Sequence, residues 1–313
     1  MVDLIYYIGL ATVLYHSWKT LQFAYIYLYR PTAPLARYKR DTDSWAFITG
    51  SSDGIGFGLA QTLRKEGWNL ILLSHQADKL NSAKTALETE FPNVKADIKV
   101  LVYDAMTDSG PSLEKSLSSI ITLPITVLIN NIGGIPISPP SFRSLSQYTT
   151  QEIDNVIQLN NRFIARLTSL MLPTLARNGP SLIANMSSGA QVGIPWLVMY
   201  SATKGFISSF TLALCRELRA DTLPISCINL IPGDVRSFQH QAPLAWNVPS
   251  SRAFGEAVVR GMSNAVDRGY LEWSPFWVHG VMLEILEWVP EWVRQAALRD
   301  EIRKKRRMFD KVE

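Results

Sequence analysis

Between residues 45 and 273 the chain alternates short, unbroken apolar runs with longer segments in which apolar positions recur every three to four residues. Short apolar runs bounded by turn-forming residues suit strands buried on both faces, and the longer period suits helices with one face on a core. The predicted strands are Trp45–Thr49, Asn69–Ser74, Ile98–Tyr103, Ile125–Asn130, Ser181–Met186, Ile225–Leu230 and Tyr270–Trp273. Helices are expected over Gly56–Glu66, Asp78–Phe91, Gln151–Leu172 and Tyr200–Ala220, the third ending at Leu172-Pro173. This alternation predicts an α/β domain over 45–273: a single doubly wound, Rossmann-like parallel sheet with helices on both faces. Residues 238–262 break the pattern with Pro243, Pro249 and Gly255 and are expected to cover the substrate as a mobile lobe.

The two ends read differently from the middle. Leu4 to Tyr29 is apolar and aromatic, interrupted by His16, Ser17, Lys19 and Gln22 and followed by Arg30, Arg37, Lys39 and Arg40. About 20 apolar residues can span a bilayer, and basic residues just beyond keep the following domain on the cytoplasmic side. Residues 1–30 are therefore expected to be a membrane anchor helix and 31–44 a basic linker. An interfacial aromatic helix and a soluble packing helix are the alternatives. Residues 274–313 form a helical extension rich in Trp277, Met282, Ile285, Trp288 and Trp292, closed by the basic run Arg303–Arg307. Rings beside cations suit a membrane lipid surface. A helix lining the substrate cleft or a homodimer contact, with a solvated basic tail, reads the same residues, and Glu284, Glu287 and Glu291 argue against a second span.

Composition bounds these readings. A chain of 313 residues with 47% hydrophobic content can bury one large core. The two cysteines, Cys215 and Cys227, fall on apolar runs and read as core residues in a reducing compartment. The four histidines are scattered, with no metal-ligand spacing, so no metal is expected. One basic run without a recognition module, at a net charge of +4, gives no support for nucleic acid as a partner.

Two motifs carry candidate chemistry. Tyr200-Ser-Ala-Thr-Lys204 places a phenol and an ammonium four residues apart, on one helix face. An ammonium beside a phenol favours the phenolate, which would draw Tyr200 from its ordinary value of about 10 toward neutrality and suit it to give a proton to a carbonyl. Gly50-Ser51-Ser52-Asp53-Gly54-Ile55-Gly56 leaves a predicted strand and opens a helix. Such a turn lets backbone approach a pyrophosphate where free N–H groups and the helix dipole favour anions.

With both motifs in this order, the chain resembles the short-chain dehydrogenase/reductase family. Asn130-Asn131-Ile132-Gly133 is similar to that family's Asn-Asn-Ala-Gly, Asn160 matches its catalytic asparagine 40 positions before Tyr200, and Pro232-Gly-Asp-Val235-Arg-Ser237 resembles its Pro-Gly-x-Val-x-Thr. The resemblance implies catalytic roles for Tyr200, Lys204 and Asn160. It also implies a serine at the end of the fifth strand, either Ser188 by strand register or Ser187 by its spacing to Tyr200. The implied cofactor contacts are Gly50, Ser52, Asp53, Gly54, Ile55, Gly56, His75, Asp104, Asn131, Gly133, Tyr200, Lys204, Val235 and Ser237.

No acid follows the second strand in Leu73-Ser74-His75-Gln76, and a 2′-phosphate repels an acid there, so NADP(H) is the expected cofactor. The anchor, the motifs and the tryptophan-rich basic end together resemble the very-long-chain 3-oxoacyl-CoA reductases and related 17β-hydroxysteroid dehydrogenases of the endoplasmic reticulum. That resemblance implies NADPH-dependent reduction of a 3-oxoacyl-CoA by a catalytic domain facing the cytosol. A steroid or specialised-metabolite ketone, and a non-catalytic scaffold on the same fold, are the alternatives.

Overall fold

The computed structural model describes residues 2–29, 35–40, 43–107, 109–237 and 244–309. Its seven strands are β1 (Trp45–Thr49), β2 (Asn69–Ser74), β3 (Ile98–Val102), β4 (Ile125–Asn130), β5 (Ser181–Met186), β6 (Ile225–Leu230) and β7 (Glu272–Trp273). They form one parallel sheet in the order β3-β2-β1-β4-β5-β6-β7. β1, β2, β4 and β5 are buried at every position, which is why their sequences are apolar without alternation. The strand order reverses between β1 and β4, opening a crevice at their carboxyl ends, the place where ligands bind in sheets of this kind.

The helices are α1 (Val2–Leu28), α2 (Gly54–Lys65), α3 (Ala77–Glu90), α4 (Pro111–Leu117), α5 (Thr150–Ile157), α6 (Phe163–Asn178), α7 (Val198–Ala220), α8 (Ser251–Asp267), α9 (Trp277–Trp288) and α10 (Glu291–Phe309). Two cores flank the sheet. One packs Leu59, Leu63, Trp68, Phe254, Val258 and Met262; the other packs Phe163, Leu167, Met171, Cys215 and Cys227. Cys215 donates its thiol to the Cys227 carbonyl oxygen at 3.0 Å, so both cysteines serve the core as expected.

Three sequence expectations are corrected. Pro173 does not end its helix: it lies exposed within α6, which continues to Asn178, and a π-helical turn, Gln158–Arg162, joins α5 to α6. Part of the expected lobe, residues 238–243, lies outside the described residues, but the rest does not behave as a lobe. Ser250 caps α8 by accepting from the Ala253 N–H, and Phe254, Val258, Val259 and Met262 bury one helical face. A Cβ built at Gly58 would fall 2.1 Å from the Ser251 carbonyl oxygen, and one at Gly255 would fall 2.4 Å from the Gly58 carbonyl carbon. Gly255 is thus a backbone-to-backbone contact between α8 and α2, not a hinge.

The third correction concerns the amino-terminal end. α1 is a 27-residue helix, yet among the described residues no helix is long and apolar enough to cross a membrane. Its tyrosines, with His16, Ser17, Lys19 and Gln22, dilute the apolar character. The last turns dock on the domain: Ile26 is buried, the Tyr27 hydroxyl donates to the Ser274 carbonyl oxygen at 2.6 Å, and the Arg268 guanidinium lies over Tyr25. Earlier residues from Leu4 to Leu21 present large apolar side chains to the outside. The basic cluster is also engaged. Arg37 pairs with Asp267, and Lys39 donates to the Glu66 and Gly67 carbonyl oxygens, each at 2.8 Å; Arg30 lies outside the described residues.

Candidate active site

β5 and α7 build the reactive end of the crevice. Tyr200 and Lys204 sit one turn apart on α7, and Ser188 is the second residue beyond β5. The Ser188 hydroxyl lies close enough to Tyr200 to act on its phenol, and it accepts the Ala190 N–H at 3.1 Å, which fixes it at the start of a 3-10 turn. Ser187 points elsewhere: it is buried, with Gln191 Oε1 at 2.8 Å and the Lys204 carbonyl oxygen at 2.9 Å as acceptors for its single proton. Of the two candidate serines, the structure brings Ser188 to the tyrosine.

The electrostatics differ from the simple pairing expected of a Tyr-Lys motif. Burial pushes the Tyr200 phenol above its ordinary value; the Ser188 hydroxyl opposes this, and the Asp234 carboxylate adds to it. Lys204 does not draw the phenol toward neutrality in this structure. Its Nζ lies 5.5 Å from the ring centroid and donates to the Met186 carbonyl oxygen at 3.0 Å. Burial instead pulls Lys204 itself down to about 8, because a cation in a low-dielectric pocket with no carboxylate partner is costly. Tyr200 is therefore a protonated phenol at neutral pH, in the state required of a general acid.

Asn160 lies on the π-helical turn, fully buried. Its Oδ1 accepts the Gly134 N–H at 3.1 Å, and Nδ2 donates to the carbonyl oxygens of Gly134 at 2.8 Å and Val156 at 2.9 Å. A Cβ at Gly133 would fall 2.9 Å from Lys204 Nζ and 3.0 Å from Asn160 Oδ1, so only glycine lets this strand end pass between them. With both Nδ2 hydrogens engaged, the amide positions the Gly133-Gly134 segment beside Lys204.

The residues at the crevice fit a dinucleotide. Gly50 has φ +64°, and a Cβ at Gly56 would fall 2.1 Å from the Gly50 carbonyl oxygen, so the turn closes only without side chains. Asp53 caps α2 by accepting the Gly54 N–H at 2.5 Å; the first N–H groups of any helix lack partners within it and suit a phosphate. Asn131 Nδ2 ties the ends of β1 and β4 through the Thr49 and Gly50 carbonyl oxygens at 3.1 and 3.2 Å. Ser52 donates to Ser74 Oγ at 3.0 Å, and exposed His75 follows. Ser237 abuts the turn, its Cβ 3.3 Å from one built at Gly54, while Ile55 is half-buried and Val235 buried. Asp104 accepts the Met106 N–H at 2.9 Å and so also serves its own turn.

An apolar cluster packs against Tyr200. Phe142, Leu197 and Ile302 are buried there, with Ile135, Ile194, Trp196 and Tyr200 packed against them. The loop before α5 is fastened by Glu152, which pairs with Arg143 at 2.5 Å and accepts from Ser138 and Thr149. Ile302 comes from α10, so the carboxy-terminal extension packs into this cluster. Sequence reasoning missed Ile302, His279 and Lys305 at this site. The available signal was slight: a single histidine inside an apolar run, and one lysine among five consecutive basic residues.

Comparison with known proteins agrees with this fold. A family profile described as short chain dehydrogenase matches residues 44–246. A very-long-chain 3-oxoacyl-CoA reductase of Kluyveromyces lactis is 30% identical over 261 residues, covering 80% of this chain and 73% of its own. Its counterpart in Candida albicans is 27% identical over 287 residues, covering 88% and 80%. Among solved structures, a short-chain dehydrogenase from Sphingobium yanoikuyae in complex with NADPH superposes with a TM-score of 0.61 at 21% identity, over 79% of this chain and 97% of its own.

Proposed function

The chain belongs to the short-chain dehydrogenase family and is an oxidoreductase, and from that premise we propose that it reduces the 3-keto group of a long-chain 3-oxoacyl-CoA with NADPH. The observation that carries the reading is the Ser188–Tyr200 hydroxyl pair facing the apolar cluster of Phe142, Leu197 and Ile302. That arrangement offers two hydroxyl donors to a carbonyl oxygen and an apolar wall to a chain. The names of the relatives supply the thioester.

Bound NADPH supplies the hydride, and Gly50, Ser52, Asp53, Gly54, Ile55, Gly56, Asn131, Val235 and Ser237 would hold it, with His75 beside the 2′-phosphate. Ser188 and Tyr200 orient the substrate carbonyl, and Tyr200 donates its phenolic proton to the developing alkoxide oxygen. Donors already in place at a developing oxyanion are usually the largest single catalytic contribution. Lys204, held by the Met186 carbonyl oxygen, keeps positive charge beneath the Tyr200 ring as the phenol loses its proton. Asn160 keeps Gly133-Gly134 clear of Lys204.

We also propose that the protein works at a membrane surface of the endoplasmic reticulum, facing the cytosol. α1 carries exposed Leu4, Ile5, Leu14 and Trp18, and His16 lies 5.8 Å from Trp288 of α9, which joins the two exposed apolar helices into one surface. A helix too polar to span can lie in the headgroup region. The function is tested by incubating purified protein with NADPH and either 3-oxoacyl-CoAs of increasing chain length or a steroid and polyketide ketone panel. Faster turnover on the long thioesters is expected; turnover confined to the free ketones would contradict the thioester assignment.

A further inference from the structure

The loop Pro232–Val235, which follows β6, is held from outside the segment that defines the family. The Gly233 N–H donates to Nδ1 of His279 at 3.0 Å. Nδ1 therefore carries no proton, so Nε2 does, and it donates to the Asn247 carbonyl oxygen at 2.9 Å. A Cβ at Gly233 would fall 2.7 Å from His279 Cδ2 and 2.9 Å from Cγ, so only glycine lets the imidazole come this close to the loop. His279 is 3% exposed, between the rings of Phe254 and Phe276. At the next residue, Lys305 Nζ pairs with Asp234 at 2.5 Å. One turn earlier on α10, Ile302 is buried against the cluster that includes Tyr200.

We propose that His279 of α9 and Lys305 of α10 are positioning residues for the reaction, clamping the Pro232–Val235 loop from two sides so that the carboxy-terminal extension sets both the cofactor-side wall and the serine turn. Both lie beyond residue 246, where the family match stops. The route to the chemistry is short: the Pro232 carbonyl oxygen accepts the Gly189 N–H at 2.8 Å, and Gly189 adjoins Ser188, which lies beside Tyr200. Displacing Gly233 therefore displaces the turn that aims Ser188. The proposal rests on reading this loop as the wall against NADPH.

The clamp also has a pH direction. A second proton on His279 would set an N–H donor against the Gly233 N–H. Burial holds the imidazole below its ordinary value, while the hydrogen bond to Asn247 and the Asp234 carboxylate act the other way. The charged and titratable groups facing it are Asp234 from the loop and Lys305 from α10, with Tyr27 from α1 against neighbouring Gly280. α8 presents the apolar Phe254. The clamp is thus intact at neutral pH and opens on acidification.

The test compares wild type, His279→Phe, His279→Asn and Lys305→Met by three readouts: amide hydrogen exchange over 232–235 in cofactor-free protein, NADPH affinity by fluorescence, and the kcat and KM of reduction. His279→Phe should raise exchange over the loop and weaken NADPH binding tenfold or more, and His279→Asn, which restores an acceptor, should recover most of both. Lys305→Met, at a half-buried site, should weaken NADPH binding severalfold without loss of fold. A Gly233→Ala change should cost less in a His279→Ala background than in wild type, because the ring it strikes is gone. Unchanged exchange and affinity in His279→Phe, or in Lys305→Met if the former fails to fold, would overturn the clamp. A lowered melting temperature with no change in affinity would also overturn it. Wild-type protein that binds no NADPH, yet shows His279-dependent exchange, would overturn the reading of the loop as a cofactor wall instead.

Discussion

The Ser188 hydroxyl lies beside the Tyr200 phenol at the end of the crevice and acts on it in the direction that favours ionisation. Ser187, one residue earlier, gives its proton to Gln191 or to the Lys204 main chain. Adjacent residues at a strand end point to opposite sides, so only one of the two can meet a substrate carbonyl. Ser188→Ala should therefore lower turnover at least about tenfold more than Ser187→Ala, the scale of losing one positioned oxyanion donor. Steady-state kinetics of the two variants checks this, and equal, mild losses would remove both serines from the role.

Tyr200→Phe removes the proton donor and almost no volume. Turnover should fall by about 10²–10⁴-fold, the usual contribution of a general acid, while NADPH binding measured by fluorescence stays near wild type. Retention of more than about a tenth of wild-type turnover would show that the proton comes from elsewhere.

Lys204 gives the pH dependence its alkaline limb. Its ammonium titrates at about 8 because burial disfavours the charge, so the charged form is present below that value and is lost as pH rises through it. If charge beneath Tyr200 assists proton transfer, kcat/KM should be level from neutral pH up to about 8 and fall by about tenfold per unit above it. Tyr200 itself is raised by burial and stays protonated over the same range. A profile that keeps rising to pH 10 would exclude the charged lysine as the required form.

The cofactor preference should reside at the end of β2. Exposed His75 stands there with no carboxylate immediately beside it, so NADPH should bind more tightly than NADH. His75→Asp should erase or invert the preference, because an anion repels the 2′-phosphate. Titration of both nucleotides into wild type and variant decides the matter, and a wild-type preference for NADH would reverse the assignment.

The parallel sheet and its motif order were legible because buried strands must be apolar throughout and because the turn at Gly50–Gly56 tolerates nothing larger at Gly56. The run Phe254, Val258, Val259 and Met262 was equally legible as a helix, but Pro243, Pro249 and Gly255 drew the reading toward a loop. The serine ambiguity could not be settled from spacing, since the two serines are adjacent and only the fold turns Ser187 toward Gln191 and the Lys204 main chain and places Ser188 at the head of a 3-10 turn. The spacing predicts that Lys204 lowers the Tyr200 pKa, yet in the fold burial and the Asp234 carboxylate raise it, and burial cannot be read from a four-residue spacing. His279 and Lys305 were hidden for a different reason: their partners, Gly233 and Asp234, are 46 and 71 positions away.

The central claim, hydride reduction of a 3-oxoacyl thioester at Tyr200, is tested most directly by following the label from NADPH deuterated at nicotinamide C4 into product. Mass spectrometry of the reaction with a long-chain 3-oxoacyl-CoA should find a 3-hydroxyacyl-CoA carrying one deuterium at C3, absent when Tyr200→Phe replaces wild type. Unlabelled product, unreacted thioester with active wild-type protein on another ketone, or equal label incorporation by Tyr200→Phe would contradict it.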